Sequence, residues 1–178
     1  RPFAAFSLIA YPEVALEALI GFESPIAPPI VIANSVFNGA GEPARTWSYH
    51  VAREGRIRWL DHNRCLRIGD TLFYVDRFGH IGYGEVAGGT SAIFRPEAQM
   101  VTRCVESLPG FGAAAQFVYR KNGYFGAVNL VCRILLSDGS HRPALQISAS
   151  ASDIPDVIAA NKQSINADLC RLAGLADS

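Results

Sequence analysis

Three groups of residues have types and spacings that could do chemistry. Asp61-His62-Asn63 followed by Cys65 sets an imidazole and a thiol three positions apart, and such a pair makes a nucleophile when the base lies within hydrogen-bond reach. That spacing brings two side chains together only on a helix, and this segment does not have a helical pattern, so His62 and Cys65 are expected in a loop. Asp70 and Glu85 offer two carboxylates for acid/base work, yet nothing around them sets their environments apart. No phosphate-binding loop, HExxH helix or GxSxG elbow occurs. The expectation is a domain that does not itself catalyse a reaction and carries no cofactor.

The third group is basic. Formal net charge is zero, but residues 45 to 67 hold Arg45, Arg53, Arg56, Arg58, Arg64 and Arg67 against only Glu54 and Asp61, whereas residues 1 to 44 hold Arg1 against Glu13, Glu17, Glu23 and Glu42. Of the 16 basic residues all but Lys121 and Lys162 are arginine. Guanidinium groups favour planar bidentate and stacking contacts over point-charge attraction. A solvated face of a protein from a GC-rich genome would have the same composition.

Four cysteines, Cys65, Cys104, Cys132 and Cys170, include no CxxC pair, so neither a zinc site nor a redox motif is read. Free thiols in a cytoplasmic protein are expected, with a pair of disulfides in an exported protein as the rival. No apolar run reaches the roughly 18 residues that a membrane span needs. The chain opens on Arg1 and reads as trimmed from something longer.

The elements that must position these groups follow from periodicity and punctuation. Phe3 to Ala10 reads as an opening strand, and Pro12 as the start of a short helix with Val14, Leu16, Leu19 and Ile20 on one stripe. Strands are expected at Trp47 to Val51 and Arg56 to Leu60 around Glu54-Gly55, and at Thr71 to Val75 and His80 to Val86 around Arg77-Phe78-Gly79. Pro96 opens a helix expected to run to about Leu108, closed by Gly110 and Gly112. Strands then follow at Gln116 to Tyr119, Phe125 to Leu136 and Pro143 to Ser150, the last two joined by the hairpin signal Asp138-Gly139. Asp153 caps a long helix whose Val157, Ile158, Ile165, Leu169 and Leu172 form one apolar stripe. With 178 residues and 49% hydrophobic content this is one α+β domain, its sheet-rich core over about 3 to 150 and its C-terminal amphipathic helix over about 153 to 175.

Four pieces of this pattern resemble the PUA-like superfamily, and within it the EVE and YTH domains: Phe6-Ser7-Leu8-Ile9, Trp47-Ser48-Tyr49-His50-Val51, Gly69-Asp70-Thr71-Leu72-Phe73-Tyr74 and Ile81-Gly82-Tyr83-Gly84-Glu85-Val86. The resemblance covers roughly residues 3 to 90. It implies a curved or closed β-barrel with flanking helices that takes a modified or flipped base into an aromatic pocket beside a basic surface. By position Trp47 is then the pocket aromatic, with Tyr49, Trp59 and Tyr74 as secondary candidates. Arg45, Arg53, Arg56, Arg58, Arg64 and Arg67 are the contacts to a DNA or RNA backbone. Stacking a base on an aromatic side chain is worth about 1 to 3 kcal/mol, and arginine clusters neutralise phosphates.

A second resemblance starts from the other end. Gly126 to Leu136, the Asp138-Gly139 hairpin, Pro143 to Ser150 and the helix after Asp153 resemble the end of a PAS sensor domain. That implies an internal small-molecule cavity and homodimerisation through the C-terminal helix. Nucleic-acid binding beside a fused or partner effector domain is the leading expectation, with no membrane partner.

Overall fold

A computed structural model describes residues 3–14, 19, 59–60, 63–68, 71–76, 78–88, 96–136, 138–140 and 145–175. Seven strands make one sheet: β1 (Phe3–Pro12), β2 (Trp59–Leu60), β3 (Asn63–Ile68), β4 (Thr71–Asp76), β5 (Ile81–Gly88), β6 (Ala127–Leu135) and β7 (Leu145–Ser150). Among the described residues two helices accompany them, α1 (Pro96–Lys121) and α2 (Ile154–Leu172). The strand order is β2-β3-β4-β5-β1-β6-β7, with every adjacent pair antiparallel. The class is α+β, as the pattern of elements led one to expect. Closure into a barrel is not seen: among the described residues β2 and β7 remain the two edges of an open sheet.

The first strand is the middle of the molecule. β1 pairs with β5 on one side and β6 on the other, so β5 and β6 run parallel to each other with β1 between them. Parallel strands need a crossover, and α1 supplies it. The helix packs on β1 and β5, and α2 packs in turn on α1 and β7. One face of the sheet therefore carries both helices.

Strand alternation places the core on that face. Phe6, Leu8 and Ala10 of β1, Ile81 and Tyr83 of β5, and Val128, Leu130, Cys132 and Ile134 of β6 are all buried there. Met100, Cys104, Leu108, Phe111 and Ala115 of α1 meet them, and Ile154, Ile158, Ile165 and Leu169 of α2 close the layer. The stripe expected on the last helix is real, and it is used within the chain, against α1. A half-open apolar cavity of about 30 Å³, lined by Leu8, Leu108, Phe111, Cys132, Ile147 and Ile158 among others, remains between sheet and helices.

The sequence pattern misplaced the end of α1. Gly110 and Gly112 do not close it, and Gln116 to Tyr119 are helical, within 26 continuous residues. The reason is a close approach: a Cβ at Gly112 would lie 2.6 Å from Ile158 Cδ1, so glycine there lets α2 cross α1. Ala113, Ala114 and Ala115 then sustain the helix. Pro109 is exposed, where water can serve the carbonyl it leaves without a donor. The true stop is Gly123, at φ 75°. Its N–H donates to the Arg120 carbonyl at 3.1 Å and the Tyr124 N–H donates to that of Tyr119 at 2.9 Å, which are the two bonds of a Schellman ending.

Other boundaries fall near their expected places. Pro12 ends β1, where its missing N–H suits a strand end, and the short helix expected beyond it, with Leu16 and Ile20 on its stripe, lies largely outside the described residues. The hairpin at Asp138-Gly139 forms, with the Ser140 N–H donating to Asp138 Oδ1 at 2.8 Å. Asp153 stands at the N-cap of α2 without a side-chain capping bond, and Pro155 follows in the first turn. The strand expected at Trp47 to Val51, the turn at Glu54-Gly55 and the Gly69-Asp70 turn lie outside the described residues. β3 was not foreseen as a strand, and it places Cys65 in a ladder opposite Tyr74.

Candidate functional site

Two clusters of polar side chains occupy opposite faces of the sheet. On the helix side, alternation in β5 turns Tyr83 and Glu85 toward α1, where the i, i+4 spacing of Arg103 and Ser107 presents both on one helix face. Arg103 donates to Glu85 Oε1 from Nη2 at 2.8 Å and from Nε at 3.2 Å. Tyr83 donates its hydroxyl to Glu85 Oε2. Ser107 Oγ donates to the Arg103 carbonyl at 2.6 Å.

Both carboxylate oxygens of Glu85 are thus engaged. Its side chain is 13% exposed against 42% for Arg103, so the pair sits at the rim of the core. Burial, reinforced by the Glu85 carboxylate, holds the Tyr83 phenol far above its usual ionisation range. The hydrogen bond to Glu85 likewise raises the Arg103 guanidinium, fixing it as a cation. A carboxylate held this way clamps β5 to α1. The acid/base pairing of Glu85 with Asp70 is not described, because Asp70 lies outside the described residues. Deeper on the same face, Cys104 and Cys132 bring their sulfurs to 3.5 Å.

The second face has no helix on it among the described residues. Here register aligns one row of polar side chains across several strands. The rings of Tyr11 and His80 meet edge to face, 6.0 Å apart. Tyr11 pairs with Asn129, and Asn129 pairs with Ser148. Asn129 is buried, and its Oδ1 accepts from Gln146 Nε2 at 2.9 Å and from Ser148 Oγ at 3.2 Å. Gln146, Ser148 and Arg133 are exposed. Gly82 and Gly84 contribute no side chains to the adjoining ladder.

The residues expected to bind a ligand fall into two sets. Trp47, Tyr49, Arg45, Arg53, Arg56 and Arg58 lie outside the described residues. Trp59, Arg64, Arg67 and Tyr74 are placed by backbone register: Trp59 opposite Arg64, Arg67 opposite Leu72, and Tyr74 opposite Cys65 on one side and Gly82 on the other. Sequence reasoning missed Arg103, Ser107, Tyr11, Asn129 and Gln146. Arg103 and Ser107 could have been found from their i, i+4 spacing, but the row from His80 to Ser148 needs the strand order, which no local signal gives.

Among the described residues no group of His, Cys, Asp or Glu is arranged to hold a metal ion, and no helix is long and apolar enough to cross a membrane. No family model, curated protein or solved structure matches the chain.

Proposed function

We propose that this domain is a non-catalytic nucleic-acid-binding module that engages a single strand on the second face of its sheet. The observation that carries the reading is the row of rings, amide and hydroxyl running from His80 through Tyr11 and Asn129 to Ser148, with exposed Arg133 on the same strand as Asn129. A β surface of this make-up suits unstacked bases: rings stack on base faces, amides and hydroxyls meet base edges, and arginine meets phosphate.

A PUA-like module reading a modified base, with Trp47 as pocket aromatic, is the finer form of this proposal. It rests on the sequence pieces alone. The sensor reading asks for a cavity that holds a ligand. The space between sheet and helices, about 30 Å³, has room for about two waters, so it gives that reading no support.

Fluorescence anisotropy with labelled single- and double-stranded oligonucleotides across a salt series tests the proposal. Single strands should bind, with affinity falling as salt rises, and Tyr11→Ala should weaken binding about tenfold or more, the worth of one stacked base. Absence of binding at about 50 mM salt, or affinity indifferent to salt, would overturn it.

A further inference from the structure

We infer that Cys104 and Cys132 form an oxidisable dithiol that closes into a disulfide and staples α1 to the centre of the sheet. The two sulfurs stand 3.5 Å apart, with Cys104 0% and Cys132 7% exposed. A disulfide needs about 2.05 Å between sulfurs, so roughly 1.5 Å of closure shared between two side chains suffices. The cysteines are 28 residues apart in sequence and sit on different elements, the crossover helix and the strand that follows it. The third described thiol, Cys170, is buried on α2.

Access distinguishes this pair from an ordinary buried contact. Cys132 lines the half-open cavity of about 30 Å³ between sheet and helices. That space admits a molecule of one or two waters' size and excludes a glutathione-sized oxidant. The matching oxidant is a small uncharged hydroperoxide, with hydrogen peroxide the smallest.

The Cys132 sulfur, as its thiolate, attacks one peroxide oxygen; the O–O bond breaks, and the departing hydroxide takes up a proton to become water, leaving a sulfenic acid on Cys132. The Cys104 sulfur then attacks the Cys132 sulfur. The S–S bond forms as the S–O bond breaks, and the Cys104 thiol proton leaves with the hydroxyl as a second water. Two thiols and one peroxide give one disulfide and two waters, with two electrons passing from sulfur to oxygen. The order of attack follows from access: Cys132 lines the cavity, whereas Cys104 is not among its lining residues and is 0% exposed, so it meets the oxidised sulfur and not the peroxide. Its contact with Cys132 and its burial also raise the Cys104 thiol above the usual range. The reaction is accordingly slow, a lock rather than a catalytic cycle.

The folded chain is exposed to hydrogen peroxide, its remaining thiols are alkylated, and the digest is mapped by mass spectrometry. The expected result is loss of two of the four thiols, a cross-link joining the Cys104 and Cys132 peptides, a raised unfolding temperature, and reversal by dithiothreitol. Cys104→Ala should arrest the reaction at a sulfenic acid on Cys132, trapped by dimedone supplied as the protein is unfolded in denaturant. A cross-link through Cys65 or Cys170, four free thiols after prolonged exposure, or a Cys104–Cys132 link formed only in denatured protein would overturn the inference. Mapping the unsubstituted chain decides the matter even if the variant fails to fold.

Discussion

Along β1, alternate side chains meet two different environments. Phe6, Leu8 and Ala10 are buried under the helices, at 4%, 2% and 0% exposure, while Ser7, Ile9 and Tyr11 on the opposite face are only partly covered. Polar groups follow the same division. Under the helices, Glu85, Arg103 and Tyr83 satisfy one another, with both carboxylate oxygens engaged. On the other face Asn129 is supported by Gln146 and Ser148, both exposed, and the ring pair stands beside it. The same kinds of residue therefore serve cohesion on one side and stand partly open to solvent on the other, where binding is proposed.

The sharpest way to break this comparison is to truncate neighbours in the one strand. Leu8→Ala should cost about 3 kcal/mol, the loss of transfer energy plus a cavity in close-packed surroundings. Ile9→Ala should cost about 1 kcal/mol, since the methyl groups removed are partly hydrated already. Equal losses in chemical denaturation would show that the two faces are equally buried. Next in size is Glu85→Gln, which removes the charge but keeps the shape. About 1 kcal/mol is expected, because solvent already screens the half-exposed Arg103.

Alkaline titration sharpens the same contrast. The Tyr83 phenol is raised in the fold, mainly by burial and then by Glu85, whereas in the unfolded chain it ionises near about pH 10. Above that pH the unfolded state releases a proton that the native state keeps, so stability is full below about pH 10 and falls as pH rises beyond it. Tyr83→Phe should flatten this fall, and urea midpoints measured at successive pH values would reveal it. Arg133→Ala on the other face should have the smallest effect on folding, within about 0.5 kcal/mol. It should nevertheless lower the salt slope of oligonucleotide binding by about one. A destabilised Arg133→Ala protein, or an unchanged slope, would move Arg133 out of the recognition face.

What could be read from the sequence divides by range. β1, β4, β5, β6 and β7 were legible because alternation and turn residues are local, and the Asp138-Gly139 hairpin declared itself through a single dipeptide. The continuation of α1 past Gly112 was not, because a glycine that admits a crossing helix looks, in sequence, like one that ends its own. Only the partner, Ile158, tells them apart. The open sheet was missed for a related reason, since an expected barrel and an observed row of strands differ in which edges meet. The residues proposed to bind show the same limit: the short ladder that sets Trp59 opposite Arg64 was not read, since β3 was not foreseen, and Tyr11 and Asn129 are joined by a pairing across more than 100 residues.

That pairing has a consequence for how the chain is made. β1 is synthesised before either of its partners, residues 81 to 88 and 128 to 135. A nascent chain carries this strand with both hydrogen-bonding edges bare until β5 emerges, and with one bare until β6 follows the whole of α1. Closure over so long a separation is slow, and an apolar strand waiting unpaired is a template for the wrong neighbour. The residues that end up most protected in the finished molecule are thus the ones most in need of a chaperone, or of speed, while it is being built.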